Sequence, residues 1–354
     1  MANAVYSCYV IVMKIEIKEL RRKITDYLNL GGLSEKDSLT LSELVIEQEL
    51  IGNQFSPVGE LAGKHARLFD DLNNEKDEVV AKKPALVLIK GNGRFAPIIT
   101  ADYLDEVIDN AKQQGIYALG IYDSTYNDFF DVFCRRVAEK DCIAIIVENG
   151  GPQGVTPFGG KTDVTGTNPI AYGIPTNKYP IIFDAATAMH AYGRIRQAEE
   201  KGEKLPDNAY VDKQGNITTD PEVAYAVLPF GGFKGFGINL LIDVLSGSLV
   251  RGKSGLDQPL DSQRYIGTLI IVIDPAAFGE IEDFKQSTTK LAEDILAVEP
   301  INPDEPVRVP GFRGAERRAK FEDAGVIEIE DKEWKKFSTA YESLKSGKHE
   351  VSYS

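Results

Sequence analysis

Four clusters between Gly166 and Gly237 gather turn-forming and hydrogen-bonding residues in a chain without the spacing of either common nucleotide-binding loop. They are Gly166-Thr167-Asn168-Pro169, Asp184-Ala185-Ala186-Thr187, Thr218-Thr219-Asp220-Pro221 and Gly231-Gly232-Phe233-Lys234-Gly235-Phe236-Gly237. Gly91-Asn92-Gly93 opens like a dinucleotide fingerprint, but the third glycine is absent and the next helical pattern starts late. It therefore reads as a turn. From Gly154 to Gly160-Lys161-Thr162 there is one residue too many for the amides of a Walker loop to converge on phosphate. Together the clusters read as a cofactor cradle on something other than a Rossmann unit.

At 354 residues the chain can bury the cores of two or three domains. A formal net charge of −14 argues against nucleic acid as partner and, weakly, against an anionic membrane surface. Cys8, Cys134 and Cys142 make neither a disulfide framework nor a metal-ligand spacing, and His65, His190 and His349 add no HxxxH pair, so no metal is expected. Tyr9-Val10-Ile11-Val12 is too short to span a bilayer, and no signal-peptide layout is present. These features point to the cytoplasm, with residues 1–12 a disordered extension and Met13 an alternative start.

Leu20, Ile24 and Leu28 recur at helical spacing before Gly31-Gly32, and Leu41, Leu44 and Val45 mark a second helix, so residues 15–75 read as helical. Asn73 to Lys83 is charged and aperiodic, which predicts a loop. Strands are expected at 85–89, 117–122, 142–147, 170–174, 179–183 and 266–273, and helices at 104–115, 130–137, 187–201, 236–250 and 281–297. After Pro303, Pro306 and Pro310, the turn Gly311-Phe312-Arg313-Gly314 leads into a basic helix with Arg317, Arg318 and Lys320. Strands and helices mix without a strict βαβ beat, so the class is α+β (mixed α/β).

Lys234, among four glycines at a predicted helix start, offers a point charge beside free amides for pyrophosphate or ribose. Asp184-Ala185-Ala186-Thr187 reads as another helix start, where small residues let a ligand reach backbone amides; a plain N-cap is the simpler alternative. Gly166-Thr167-Asn168-Pro169 is by itself an ordinary turn. His190, one helical turn after Ala186, reads equally as a packed or a surface side chain.

The order and spacing of these runs resemble the second malate/L-lactate dehydrogenase family, of the ureidoglycolate dehydrogenase, diketogulonate reductase and piperideine-carboxylate reductase type, from about Ile15 to Leu344. The resemblance implies a non-Rossmann NAD(P)-binding domain on a largely antiparallel sheet, a helical domain from both chain ends, a homodimer and an active site between domains. It divides the chain into residues 13–83, 84–300 and 301–354, the last returning to the helical domain. It implies NAD or NADP as cofactor, contacted by Thr167, Asn168, Asp184, Ala185, Ala186, Lys234, Gly311, Phe312 and Arg313.

The catalytic half departs from the family. Where the family has a histidine in Asp-Ser-His-Gly and an arginine four residues on, this chain has Ser56 and Glu60. Where the family has its acid/base histidine in Ser-Asn-His-Phe-Gly, the chain has Tyr126. Tyr126 and Ser56 thus become the candidate catalytic residues, with Glu60, Lys64 and Thr167 as candidate substrate contacts. A neutral phenol with a pKa of about 10 is a competent proton donor and a poor base, which favours reduction. The expected activity is NAD(P)H-dependent reduction of a small polar carbonyl compound of the 2-oxo acid type. Two alternatives stand beside it. A cationic imine needs neither arginine nor acid, which would suit Glu60, or the chain binds cofactor without redox turnover.

Overall fold

The computed structural model describes residues 12–52, 56–63, 76–151, 153–260 and 264–347. It divides into two compact units, Met1–Leu72 with Arg313–Ser354, and Asn73–Phe312. Among the described residues the first elements are β1 (Val12–Glu16), α1 (Ile17–Leu30), α2 (Glu35–Ile51) and α3 (Pro57–Leu61). The second unit runs through β2 (Glu78–Lys83), β3 (Leu86–Lys90), α4 (Ala96–Gln114), β4 (Ile116–Ser124), α5 (Phe130–Ala138) and β5 (Ile143–Glu148). It continues with β6 (Ile170–Ile174), β7 (Ile181–Ala185), α6 (Arg194–Lys201), β8 (Tyr210–Val211), β9 (Ile217–Thr218) and β10 (Ala226–Val227). Then come α7 (Phe233–Asp243), which runs on as a π turn over Val244–Ser248, β11 (Ile266–Ile273) and α8 (Ile281–Leu296). The chain ends with α9 (Phe312–Ala324), β12 (Val326–Glu330) and α10 (Asp331–Lys345).

In the first unit α1 buries Leu20, Ile24, Tyr27 and Leu28, one stripe at helical spacing. Tyr27 turns its hydroxyl to the Leu61 carbonyl at 3.1 Å and meets the Phe337 ring edge-on at 5.3 Å. β1 pairs antiparallel with β12, Ile15 opposite Ile327. The end of α2 would leave carbonyls unpaired. Arg317 donates Nη1 to the carbonyls of Glu49 and, at 2.8 Å, Leu50, while its guanidinium lies 4.7 Å from the Phe321 ring centre. Arg317→Met, which keeps the bulk over Phe321, is expected to cost about 1.5–3 kcal/mol, the range for hydrogen bonds from a charged donor. Urea unfolding measures it, and a loss under about 0.5 kcal/mol would mean that water replaces the guanidinium.

The second unit is built on a seven-stranded sheet of order β2-β3-β4-β11-β5-β6-β7, in which β3 and β4 are parallel and every other pair is antiparallel. β11 is buried at nearly every position, as a central strand covered on both faces requires. Ile242 and Val250 pack onto Val147 and Leu269, and α4 and α5 pack against the same strands. A small sheet of order β10-β8-β9 lies beside a cluster of Val155, Ile195, Leu205 and Tyr210.

The mixed, largely antiparallel α+β class is as expected, but several local expectations are corrected. Part of the loop expected at 73–83 is β2, an edge strand paired with β3. Both its faces meet solvent or half-bury, so it carries no apolar period, and the unit boundary falls before it. Val12, placed in the N-terminal extension, begins β1. The helix expected at 187–201 starts only at Arg194, because Thr187 and Met189 give their amides to Thr167 and Leu228 instead of to a helical turn. α7 starts at Phe233 rather than 236 and ends in the π turn. α4 starts at Ala96, immediately after the turn formed by Asn92 (φ 51°) and Gly93 (φ 78°). Residues 1–11, Lys64, His65 and Asn73–Glu75 lie outside the described residues.

Candidate active site

The Gly166–Pro169 turn is held from beneath. Asn168 adopts φ 41°, is wholly buried, and accepts the Gly150 amide at 2.9 Å. Its amide group donates to the Asn239 carbonyl (3.1 Å) and to Asp243 Oδ1 (3.2 Å). The amide nitrogen and oxygen of this side chain are both engaged inside the protein, which corrects its expected role as a side-chain contact: the side chain of Asn168 shapes the turn. Thr167 is half-buried beside it, and its carbonyl takes both the amide and the hydroxyl of Thr187, each at 2.9 Å. Gly166 is obligatory, since a Cβ there would stand 2.5 Å from the Gly150 carbonyl carbon.

Asp184 and Ala185 end β7 rather than starting a helix, which corrects the N-cap reading. Ala186 follows, half-buried, and His190 stacks on Tyr210 with ring centres 6.0 Å apart, a packed residue. The Phe230 amide donates to the Thr187 carbonyl at 3.0 Å, so the run before α7 is tied to the same strand end. Gly231 (φ 58°) and Gly232 (φ 68°) then turn the chain into α7, whose exposed second residue is Lys234. A Cβ on Gly231 would meet nothing within 4 Å, so the approach to the helix start is open. Free amides, the helix dipole and the ammonium of Lys234 there suit an anionic group.

Tyr126 sits on the loop after β4. Its hydroxyl lies 3.5 Å from the Gly150 carbonyl and occupies the space that a Cβ on Gly151 would need. The loop is fixed on both sides of the ring. Thr125 Oγ1 accepts the Ala96 amide (3.2 Å), the Asn127 amide donates to buried Glu148 (2.9 Å), and Asn127 Nδ2 donates to Thr100 (2.9 Å). Asp123 (φ 55°) and Asp128 (φ 46°) bracket it in the left-handed region, a strain that the surrounding bonds hold in place. Burial first, then Glu148 and Asp128, holds the phenol pKa well above its ordinary value, so Tyr126 stays protonated. Because Gly150 also bonds Asn168, the structure brings Tyr126, the Thr167 turn, the Ala186–Thr187 run and the start of α7 into one neighbourhood.

Asp184 reaches the surface of β7, yet desolvation by the crowded chain around it, and then Asp131 and Asp128, push its carboxyl up to about 8. A proton held more tightly in the folded chain adds stability that is full below the ordinary carboxylate value of about 4 and is lost as pH rises through the raised one. Asp184→Asn is therefore expected to match the parent chain near pH 4 and to melt higher than it near pH 9. Parallel melting curves across that range would show an ordinary, solvated carboxylate.

Pro310-Gly311 lies along β7, with the Ile182 amide on the Pro310 carbonyl (3.2 Å) and Gly311 (φ 86°) too close to Ile182 for any Cβ. Phe312 meets the Tyr179 ring edge-on at 5.8 Å, and Arg313 is exposed. In the other unit Ser56 caps α3: its hydroxyl donates to Glu49 Oε2 (2.6 Å) and accepts the Gly59 amide (3.4 Å). That hydroxyl is committed to local structure, which corrects its expected catalytic place. Glu60 is half-buried on the same short helix.

Asn239 and Glu148 escaped the sequence reading, and Thr187 was placed in its cluster without a role of its own. The signal available was polar residues at buried helical and strand positions: Asn239 and Asp243 stand four apart on a helix whose residues from Phe236 to Ile242 are otherwise uncharged and apolar or glycine.

The family model for malate/L-lactate dehydrogenase matches residues 15–338. The chain belongs to that family. Among curated relatives, the malate/(S)-sulfolactate dehydrogenase of Methanothermus fervidus is 31% identical over 322 residues, covering 89% of this chain and 93% of that one. The Δ1-pyrroline-2-carboxylate/Δ1-piperideine-2-carboxylate reductase of Pseudomonas putida is 32% identical over 253 residues, covering 69% and 72%. The solved sulfolactate dehydrogenase from Methanocaldococcus jannaschii superposes with a TM-score of 0.82 at 27% identity, covering 94% of this chain and 98% of that one. As a member of the malate/L-lactate dehydrogenase family the chain is an oxidoreductase.

Proposed function

We propose that the chain reduces a small 2-oxo acid to the 2-hydroxy acid, with Tyr126 donating the proton. The observation that carries this reading is the neutral Tyr126 hydroxyl fixed against Gly150–Gly151, directly beside the Thr167 turn. The dinucleotide, when bound, supplies the hydride. Lys234 and the amides at the start of α7 hold its charged groups, with Thr167, Asp184, Ala185, Ala186 and the Gly311–Arg313 turn as further contacts. As negative charge develops on the substrate oxygen, the phenol gives up its proton there and the hydroxy product leaves neutral at that atom.

A second reading, reduction of a cyclic or secondary imine, is favoured by Glu60 in the place of the family's arginine and by the match to a pyrroline/piperideine-carboxylate reductase. A carboxylate beside a substrate carboxylate repels it, whereas a cationic imine is attracted. Consumption of NADH and NADPH absorbance against a panel of 2-oxo acids and cyclic imines separates the readings. Glu60→Arg is expected to move preference at least about tenfold towards carboxylate substrates, a change of roughly 1.4 kcal/mol in transition-state binding. Unchanged preference removes Glu60 from the substrate site, and no turnover of either class sinks the proposal.

The oligomer we assign is a homodimer, supported by α7 and its π turn. Their buried positions include Gly235, Asn239, Asp243 and Ser246, while Phe233, Leu240, Leu241, Val244 and Leu249 face out. An exposed apolar face of this kind needs a cover, and a second copy supplies it. A monomer by sedimentation at micromolar concentration would remove this part. A cytoplasmic location is in keeping with the buried free thiols of Cys134 and Cys142.

A further inference from the structure

Asn239 lies wholly buried in the middle of α7, and its side chain makes four hydrogen-bond contacts, all to residues more than fifty positions away. Nδ2 donates to the Gly166 carbonyl at 3.0 Å and to Thr187 Oγ1 at 2.9 Å. Oδ1 accepts the Thr165 hydroxyl at 2.7 Å and lies 3.4 Å from Asn168 Nδ2. Thr187 in turn spends its hydroxyl proton on the carbonyls of Thr167 and Asn168, both at 2.9 Å, and its own carbonyl takes the Phe230 amide. Three segments therefore meet through one amide: the Thr165–Asn168 turn, the residue after Ala186, and the helix that carries Lys234.

We propose that Asn239 is a positioning residue for the dinucleotide, acting through Thr187 and Asn168. It touches no ligand. It fixes the turn carrying Thr167 against the helix carrying Lys234, so that contacts on both can be made at once. Core packing alone needs no such arrangement, since apolar residues at Asn239 and its side-chain partners together would fill the site. A polar node in which every donor and acceptor is satisfied admits one mutual placement of its segments, and an apolar replacement leaves that placement loose and the Thr165 and Thr187 hydroxyls short of partners. The inference rests on the cofactor reading given above.

The test titrates NADH and NADPH fluorescence into Asn239→Leu, Thr187→Val, Thr187→Ser and Ser246→Ala, with near-UV circular dichroism and melting temperature recorded for each. Asn239→Leu and Thr187→Val are expected to weaken dinucleotide binding about tenfold or more, with kcat at saturating dinucleotide within about threefold of the parent. The double variant should be little worse than either single one, as for residues acting in series. Thr187→Ser, which keeps the hydroxyl, should bind normally. Ser246→Ala is the control for mere destabilisation: among the described residues its buried hydroxyl bonds the Ile242 carbonyl of its own helix, at 2.7 Å. It should melt lower and bind as the parent does.

Normal binding by Asn239→Leu and Thr187→Val overturns the inference, as does equal weakening in Ser246→Ala. If Asn239→Leu does not fold, Thr187→Val decides. A parent chain that binds neither dinucleotide overturns the cofactor reading itself, a result visible before any variant is made.

Discussion

Tyr126→Phe is expected to lower turnover by about 10²–10⁴-fold, the range for loss of a positioned general acid, with dinucleotide binding unchanged. The substitution keeps the ring that fills the space over Gly151 and deletes the hydroxyl beside the Gly150 carbonyl. Burial, Glu148 and Asp128 all favour the neutral phenol, so the donor stays loaded through the neutral range. The parent's rate should accordingly show no loss from ionisation of this group below pH of about 10. The folded phenol holds its proton more tightly than the unfolded chain does. Its contribution to stability is therefore full below about pH 10 and is lost only as pH rises through the raised value. A Tyr126→Phe variant that turns over like the parent would leave Tyr126 as a packing residue, and the imine reading, which needs no acid at that step, would gain.

Gly235→Ala is expected to abolish the rise in melting temperature that NADH or NADPH produces by mass action. A Cβ at this position falls far inside contact distance of the Phe230 carbonyl oxygen, a backbone atom with no rotamer to escape through. The start of α7 must shift, carrying Lys234 and the Gly231–Gly232 turn with it. Overpacking of this kind costs about 1–3 kcal/mol in stability as well. Gly237, two residues on, is the matched control: a Cβ there meets nothing within 4 Å, so Gly237→Ala should be neutral or stabilise the helix by roughly 0.5–1 kcal/mol. Equal behaviour of the two variants would show that the helix start plays no part in the cradle.

How much of this was legible varied with the range of the interactions. The apolar runs of β6 and β11 were read to their ends, because a central strand is buried by its own composition. The end of α4 at Gly115 (φ 85°) was legible for a similarly local reason. The alanine-rich run from Ala185 to Ala191 imitates a helix, yet the amides of Thr187 and Met189 go to Thr167 and Leu228, partners that no local pattern reveals. β2 was missed because an edge strand need not be apolar, and β8, β9 and β10, at two residues each, exist only through their pairing.

By itself the sequence determined the mixed α+β class, the absence of a Rossmann fingerprint, the family, and the residue types of the turn at Gly166–Pro169 and the helix start at Lys234. These depend on backbone permissiveness and hydrogen-bonding chemistry carried by a few adjacent residues. Only the tertiary structure decided that Asn168 faces inward, that Ser56 is a helix cap, and that Tyr126 stands beside the Thr167 turn. Ser56 reaches only seven residues back, to Glu49, but the bonds that place Asn168 and the Thr167 turn join Gly150 to Asn168 and Asn239 to Thr187 across 18 and 52 residues. A side chain's partners at such separations are set by which strands lie next to one another, and strand order is a property of the folded sheet.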